Sequence, residues 1–182
     1  WAHAWATAGA SVVVLAADQD SEDALVRIGE REGLHRDDLD GVEGEAQRRY
    51  AWLELAARLK ALPSLRILDG EDVTLEDAAV LLANMPAPRV LVIDSRQTVR
   101  CSAAEGAASR REEIDMAGRV VRSISRAGVL VVETSEVARG RYAAPATART
   151  SALGAAKESG GIEYATDVLL DLASVAGEPL IH

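Results

Sequence analysis

Short runs of aliphatic residues alternate along the chain with longer stretches whose apolar positions recur every three or four residues. That alternation predicts an α/β fold. The clearest run is PRVLVIDSRQ, Pro88 to Gln97, where Val90 to Ile93 stand between an arginine and Asp94. A short, unbroken, β-branched run of this kind reads as a strand covered on both faces in a parallel sheet. Ser11–Ala16, Leu65–Leu68 and Val129–Val132 have the same character. Asp167–Leu172 is the last clear strand, and Glu178–His182 begins a further edge strand.

Between these runs the pattern is helical. Trp1–Ala8 reads as the second half of a helix stopped at Gly9, and the expectation is that the natural chain continues upstream of Trp1. Asp20 or Ser21 caps a helix that runs to about Glu32, with Ala24, Leu25 and Ile28 at helical spacing and acids in its first turn. His35–Glu43 reads as a polar loop. Gly44–Leu62 is a long helix with Tyr50, Leu53, Ala57 and Leu59 among its candidate core positions, ended by Pro63. Thr74 caps Leu75–Asn84, which Pro86 and Pro88 close. Ser95–Ala108 reads as a loop carrying Arg96 and Arg100. Ser109–Arg126 is a helix with Ile114, Ala117, Val121 and Ile124 along one stripe. Val137–Arg149 is an arginine-bearing loop, Ser151–Glu158 a short helix, and Ser159–Gly161 a break. The order implies a mainly parallel sheet with right-handed crossovers.

Composition narrows the picture. With 182 residues the chain fits one domain, and with no Phe its core must be built from Ala, Val, Leu and Ile. The net charge of −9 argues against nucleic-acid binding by bulk charge, although local basic loops in an assembled ring are compatible with it. A single cysteine, Cys101, excludes an internal disulfide and suits a reducing compartment. The three histidines are scattered, so no metal-ligand spacing appears. No apolar run reaches membrane-spanning length and no signal peptide is visible, which leads us to expect a cytoplasmic protein.

The candidate chemistry sits at strand ends. In open α/β sheets, ligands bind beyond the carboxyl ends of the strands. Asp94 therefore stands where a carboxylate holds magnesium, directly or through water, beside a nucleotide phosphate. This is the Walker B arrangement; for such a motif alone, a turn or capping aspartate is the plain alternative. The first strand ends in a second acidic group, Asp18, Asp20, Glu22 and Asp23.

Taken together, these stretches resemble the RecA-fold ATPase domain of replicative DNA helicases of the DnaB type, over nearly the whole chain. VVVLAADQDSEDALVRI looks like the family's strand ending in a catalytic glutamate. LRILDGEDVTLEDAAVLL looks like its next strand and helix, and PRVLVIDSRQTV like its Walker B strand with Gln97 at the glutamine position. SRREEIDMAGRVVRSISRAGVLVVETSEVAR looks like the helix and strand leading to its nucleotide-sensing Ser-Gln motif. KESGGIEYATD, within ALGAAKESGGIEYATDVLLDL, is the most specific match. The resemblance implies a single RecA-like P-loop NTPase domain over 1–182, truncated at its N-terminus, with a mainly parallel β-sheet flanked by helices and the first strand and P-loop absent.

It also implies roles. Asp94 would hold Mg2+ through water and help bind ATP with Gln97; Asp18 would handle the attacking water; Ser135 and Glu136 would sense the γ-phosphate. Arg139, Arg141 and Lys157 would contact DNA or a neighbouring subunit, against a default of solvated surface charge. The departures fall on the chemistry. No GxxxxGK[ST] loop occurs, so the 182 residues alone should not hydrolyse ATP well. Asp18 replaces a glutamate and is one methylene shorter, a misplacement that costs up to about a hundredfold in rate; Asp20 in a shifted register is the alternative, and plain helix capping the other. Glu136 replaces a glutamine, and an ionised carboxylate repels phosphate where an amide donates to it.

The expectation is an ATP-dependent DNA helicase or translocase module, with Mg-ATP at the subunit interfaces of a ring, a hexamer, that moves single-stranded DNA. The alternatives are a non-hydrolysing RecA-fold assembly or regulatory module, and a recombinase-like or clock-type ATPase on the same fold.

Overall fold

A computed structural model describes residues 1–18, 20–135, 166–168, 170, 172–175 and 178–181. Its main sheet comprises β1 (Ser11–Ala16), β2 (Leu65–Asp69), β3 (Arg89–Asp94) and β4 (Val129–Glu133). All three pairings are parallel and the order is β2-β1-β3-β4. The helices are α1 (Ala2–Thr7), α2 (Ser21–Arg31), α3 (Arg36–Asp40), α4 (Glu45–Lys60), α5 (Leu75–Ala83) and α6 (Arg110–Arg126), with a short 3-10 turn at Ser102–Ala104.

Because strand side chains alternate between faces, the two central strands divide the core. Val13 pairs with Leu91 and Leu15 with Ile93; all four are fully buried against Leu75, Ala78 and Leu82 of α5 and Ala117, Val121 and Ile124 of α6. Val12 and Val90 face the other way, against Ala6 of α1, Ile28 of α2 and Leu59 of α4. A further cluster, Val26, Leu39, Ala51 and Leu55, joins α2, α3 and α4. The core clusters are aliphatic apart from the thiol of Cys101, and the tryptophans lie at their margin on the α1 and α4 side. Trp5 and Trp52 are half-buried, and Trp1 tilts against Trp5 with ring centroids 6.0 Å apart.

The caps follow the sequence. Asp20, not Ser21, caps α2, accepting from Glu22 N–H at 2.8 Å. Thr74 and Asp77 form a reciprocal capping box on α5. Ser109 accepts from Glu112 N–H, while the Glu112 carboxylate accepts from Ala108 N–H at 2.9 Å.

Four expectations are corrected. The polar stretch His35–Glu43 contains α3, because Leu39 is fully buried and anchors the turn; its carbonyl accepts from Trp52 Nε1 at 3.1 Å. On α4, Tyr50 and Leu53 are exposed and Ala51 and Leu55 are buried: apolar residues occur all round this helix, so spacing alone does not choose its inner face. Among the described residues β4 pairs on one side only, with β3, and Leu130 is exposed at 56% where a buried strand was expected. Finally, strand pairing near the C-terminus begins at Leu172, not Asp167. β5 (Leu172–Val175) and β6 (Glu178–Ile181) pair antiparallel with each other, since two intervening residues are too few for a parallel crossover. The expected loop 137–149 and helix 151–158 lie outside the described residues.

Glu76, in the first turn of α5, ties that helix to the 101–103 turn. Its carboxylate accepts from Ser102 N–H, Ala103 N–H and the Cys101 thiol. Partial burial pulls the Glu76 pKa upward, but the backbone donors and the thiol outweigh it and hold the group below its ordinary value. Burial, then the hydrogen bond to Glu76 and its charge, push the Cys101 thiol up.

Leu91→Ala should lower stability by about 2–5 kcal/mol in urea unfolding, whereas Leu130→Ala should change it by less than about 0.5 kcal/mol. A carboxylate depressed on folding stabilises above its unfolded pKa, and that contribution is lost as pH falls through the folded value. Glu76→Gln should therefore be less stable than the parent at neutral pH and lose less on acidification from about pH 5 to about pH 3. The same variant should react faster with a thiol reagent at Cys101, because the neighbouring charge is gone.

Candidate functional site

The carboxyl ends of all four parallel strands reach one rim, and each brings an acid there: Asp18 just beyond β1, Asp69 ending β2, Asp94 ending β3 and Glu133 ending β4. The chain leaves β1 toward β2 on one side and reaches β4 from β3 on the other. The crevice where this order reverses lies between β1 and β3, the general ligand position in such sheets.

Asp18 and Asp94 meet at that crevice. Ala16 and Asp94 are register partners, and the N–H groups of Ala17 and Asp18 both donate to the Asp94 carbonyl, at 2.6 and 2.8 Å. Asp18 is exposed and Asp94 half-buried. β2 closes in from the other side: Gly70 N–H donates to the Ala16 carbonyl at 2.7 Å. A Cβ on Gly70 would lie 2.5 Å from Ala17 Cα, so only glycine allows this approach. Asp69 is committed locally, accepting from Ser21 Oγ at 3.3 Å and from Glu71 N–H at 2.9 Å. Asp20 is committed to its cap.

The turn after β4 is bound to the end of β3. Thr134 Oγ1 donates to Asp94 Oδ1 at 2.5 Å, and Thr134 N–H to the Ile93 carbonyl at 3.0 Å. Arg96 N–H donates to the Thr134 carbonyl at 2.9 Å. Gln97, buried, donates from Nε2 to Ser135 Oγ at 2.8 Å. The Asp94–Ser95 peptide is cis. Thus Thr134 meets the Asp94 side chain, Ser135 meets that of Gln97, and the main chain at Asp18 joins Asp94 from β1. Glu136, Arg139, Arg141 and Lys157 lie outside the described residues.

One pair escaped the sequence reading. Arg96, expected in an open loop, is 2% exposed. Its Nη1 is ion-paired with Glu133 Oε2, and its Nη2 donates to the Ile114 carbonyl of α6 at 3.4 Å. The available signal was the pairing of charge types: a basic residue two past the end of one strand and an acid ending another.

Magnesium bound with a nucleotide keeps several waters and takes one or two carboxylates plus phosphate oxygens. Asp94 fits that demand: it lies at the rim with one carboxylate oxygen bound by Thr134, and the described residues form no closed cage of three or more ligating side chains. No phosphate-cradling GxxxxGK[ST] loop occurs among the 182 residues.

The four-stranded parallel sheet with helices on both faces has the RecA-like fold of two solved structures. Among solved structures, a DnaB-like replicative helicase described with its interactions with primase superposes with a TM-score of 0.75 at 15% identity. The match covers 95% of this chain and 42% of that one. A second solved structure, that of an ATPase domain, superposes with a TM-score of 0.72 at 17% identity, over 95% of this chain and 62% of that one. This chain therefore spans less than two thirds of the length of either. No family model and no curated protein matches the sequence. No helix among the described residues is long and apolar enough to cross a membrane.

Removing one partner of a buried ion pair strands the other, so Arg96→Met should cost about 3–5 kcal/mol in equilibrium unfolding. Thr134→Val, at an exposed position, should cost less than about 0.5 kcal/mol.

Proposed function

We propose that this chain is the ATPase module of an ATP-dependent DNA helicase or translocase of the DnaB-like type. The observation that carries the proposal is the main-chain bond from Asp18 N–H to the Asp94 carbonyl at the end of β1 and β3, with Thr134 on the Asp94 carboxylate and Ser135 on Gln97, on a fold shared with a helicase structure. On this reading Asp94 would hold Mg2+ through water, and the Thr134 hydroxyl, which donates to its carboxylate, fixes the orientation of that group. Asp18 orients the attacking water from the facing strand. Gln97 sets the rotamer of Ser135, whose hydroxyl meets the terminal phosphate. Bound Mg2+ would neutralise charge on the phosphate oxygens.

Arg139, Arg141 and Lys157 are proposed to contact single-stranded DNA or the neighbouring subunit, and Glu136 to lie at the sensing position. ATP would sit between subunits of a ring, a hexamer. The alternative is a RecA-fold module that serves assembly or regulation without hydrolysis; Glu136 in place of an amide favours it.

The test is calorimetric titration of Mg-ATP into the whole protein, together with measured turnover. The proposal expects binding with Mg2+-dependent turnover that Asp94→Ala abolishes while leaving the far-UV spectrum unchanged. Turnover indifferent to Asp94→Ala would remove that residue from the mechanism, and binding without turnover would select the non-hydrolysing alternative.

A further inference from the structure

We propose that Arg96 and Glu133, backed by Gly118, form a positioning device that docks the Thr134–Ser135 turn onto the end of β3. The docking is inferred from geometry alone; what the docked turn does rests on the function proposed above.

The guanidinium joins three elements. Its own residue follows β3; Nη1 pairs with Glu133, the last residue of β4; and Nη2 reaches the Ile114 carbonyl on α6. Both side chains of the pair are buried, at 1% and 9% exposure. Nε is also buried and has no partner. Buried charges of this kind cost desolvation that the pair's attraction at best offsets, so stability is a weak reason for their presence. Directionality is the better one. A planar fork fixes distance and angle together, which an aliphatic contact does not.

The bonds just beyond the pair show what is fixed. Thr134 and Ser135 directly follow Glu133, and their side chains meet Asp94 and Gln97, which flank Arg96 within two residues on either side. The same two segments are crossed by Arg96 N–H to the Thr134 carbonyl and Thr134 N–H to the Ile93 carbonyl. Arg96 and Glu133 thus clamp the turn at its base, and the exposed Thr134 and Ser135 inherit their positions from a buried contact.

Gly118 supplies an independent handle. A Cβ there would lie 2.5 Å from Arg96 Nη2, and Gly118 lies in the middle of α6. Gly118→Ala should displace the guanidinium without touching Asp94, Gln97 or Ser135.

The experiment is amide hydrogen exchange by NMR on the full chain. It compares the parent, Gly118→Ala and the double variant Arg96→Met/Glu133→Leu, which replaces the pair by apolar groups of similar size. We expect the double variant to keep a near-parental Tm. The backbone amides at positions 96 and 134 of the double variant, corrected for intrinsic exchange rate, should exchange at least about tenfold faster relative to those of Val13 and Leu91, with Gly118→Ala shifting in the same direction. Parental protection at positions 96 and 134 in the double variant would reduce the pair to core filler and overturn the proposal. Mg-ATP turnover on the same variants separates the two claims. Faster exchange with lower turnover at unchanged ATP affinity supports both. Faster exchange with unchanged turnover keeps the docking and counts against the functional role given to Ser135.

Discussion

The parallel pairing of β1 with β3 carries more of this molecule than any other contact. Its register sends Val13, Leu15, Leu91 and Ile93 to one face and Val12 and Val90 to the other, so a single ladder sets which residues each helical layer must meet. A slip by one residue would exchange the two faces along a whole strand. The same ladder continues past its last rung, where two successive amides converge on the Asp94 carbonyl. The rim geometry is therefore an extension of core packing. Asp94 is held by its main chain to β1 and by its side chain to the turn after β4.

The other face of that arrangement is the placement of charge inside the structure. Arg96 sits beneath the rim in a space that α6 leaves open at Gly118. The helix is otherwise a regular amphipathic element, with Ile114, Ala117, Val121 and Ile124 buried on the stripe that spacing predicts. One missing side chain on that face admits a guanidinium where an aliphatic core would be expected. Its charge is matched by the acid that ends β4.

Much of this was legible in the residues. Aliphatic runs located the four parallel strands, caps located α2 and α5, an apolar stripe located α6, and the order of elements implied a parallel α/β sheet. Aspartates at strand ends suggested a common rim, and Asp18 and Asp94 do share one. What sequence could not settle is what tertiary contacts decide. α4 has apolar residues on every side, so only the neighbouring α2 and α3 determine that Leu55 goes in and Leu53 stays out. α3 exists because one leucine, Leu39, finds a cavity between helices, a fact invisible in a polar stretch. Arg96 read only as part of a loop; its burial depends on Glu133, 37 positions away.

The absence of Phe and the position of the tryptophans have a practical consequence. Trp5 and Trp52 border the clusters under α1 and α4, and the cluster between the sheet and α5 and α6 has no indole. Intrinsic fluorescence excited at tryptophan is therefore an optical window on one half of the molecule. Melting that began at α5 or α6 would register first in circular dichroism, and a lag between the two signals would expose a partly opened state that emission alone would miss.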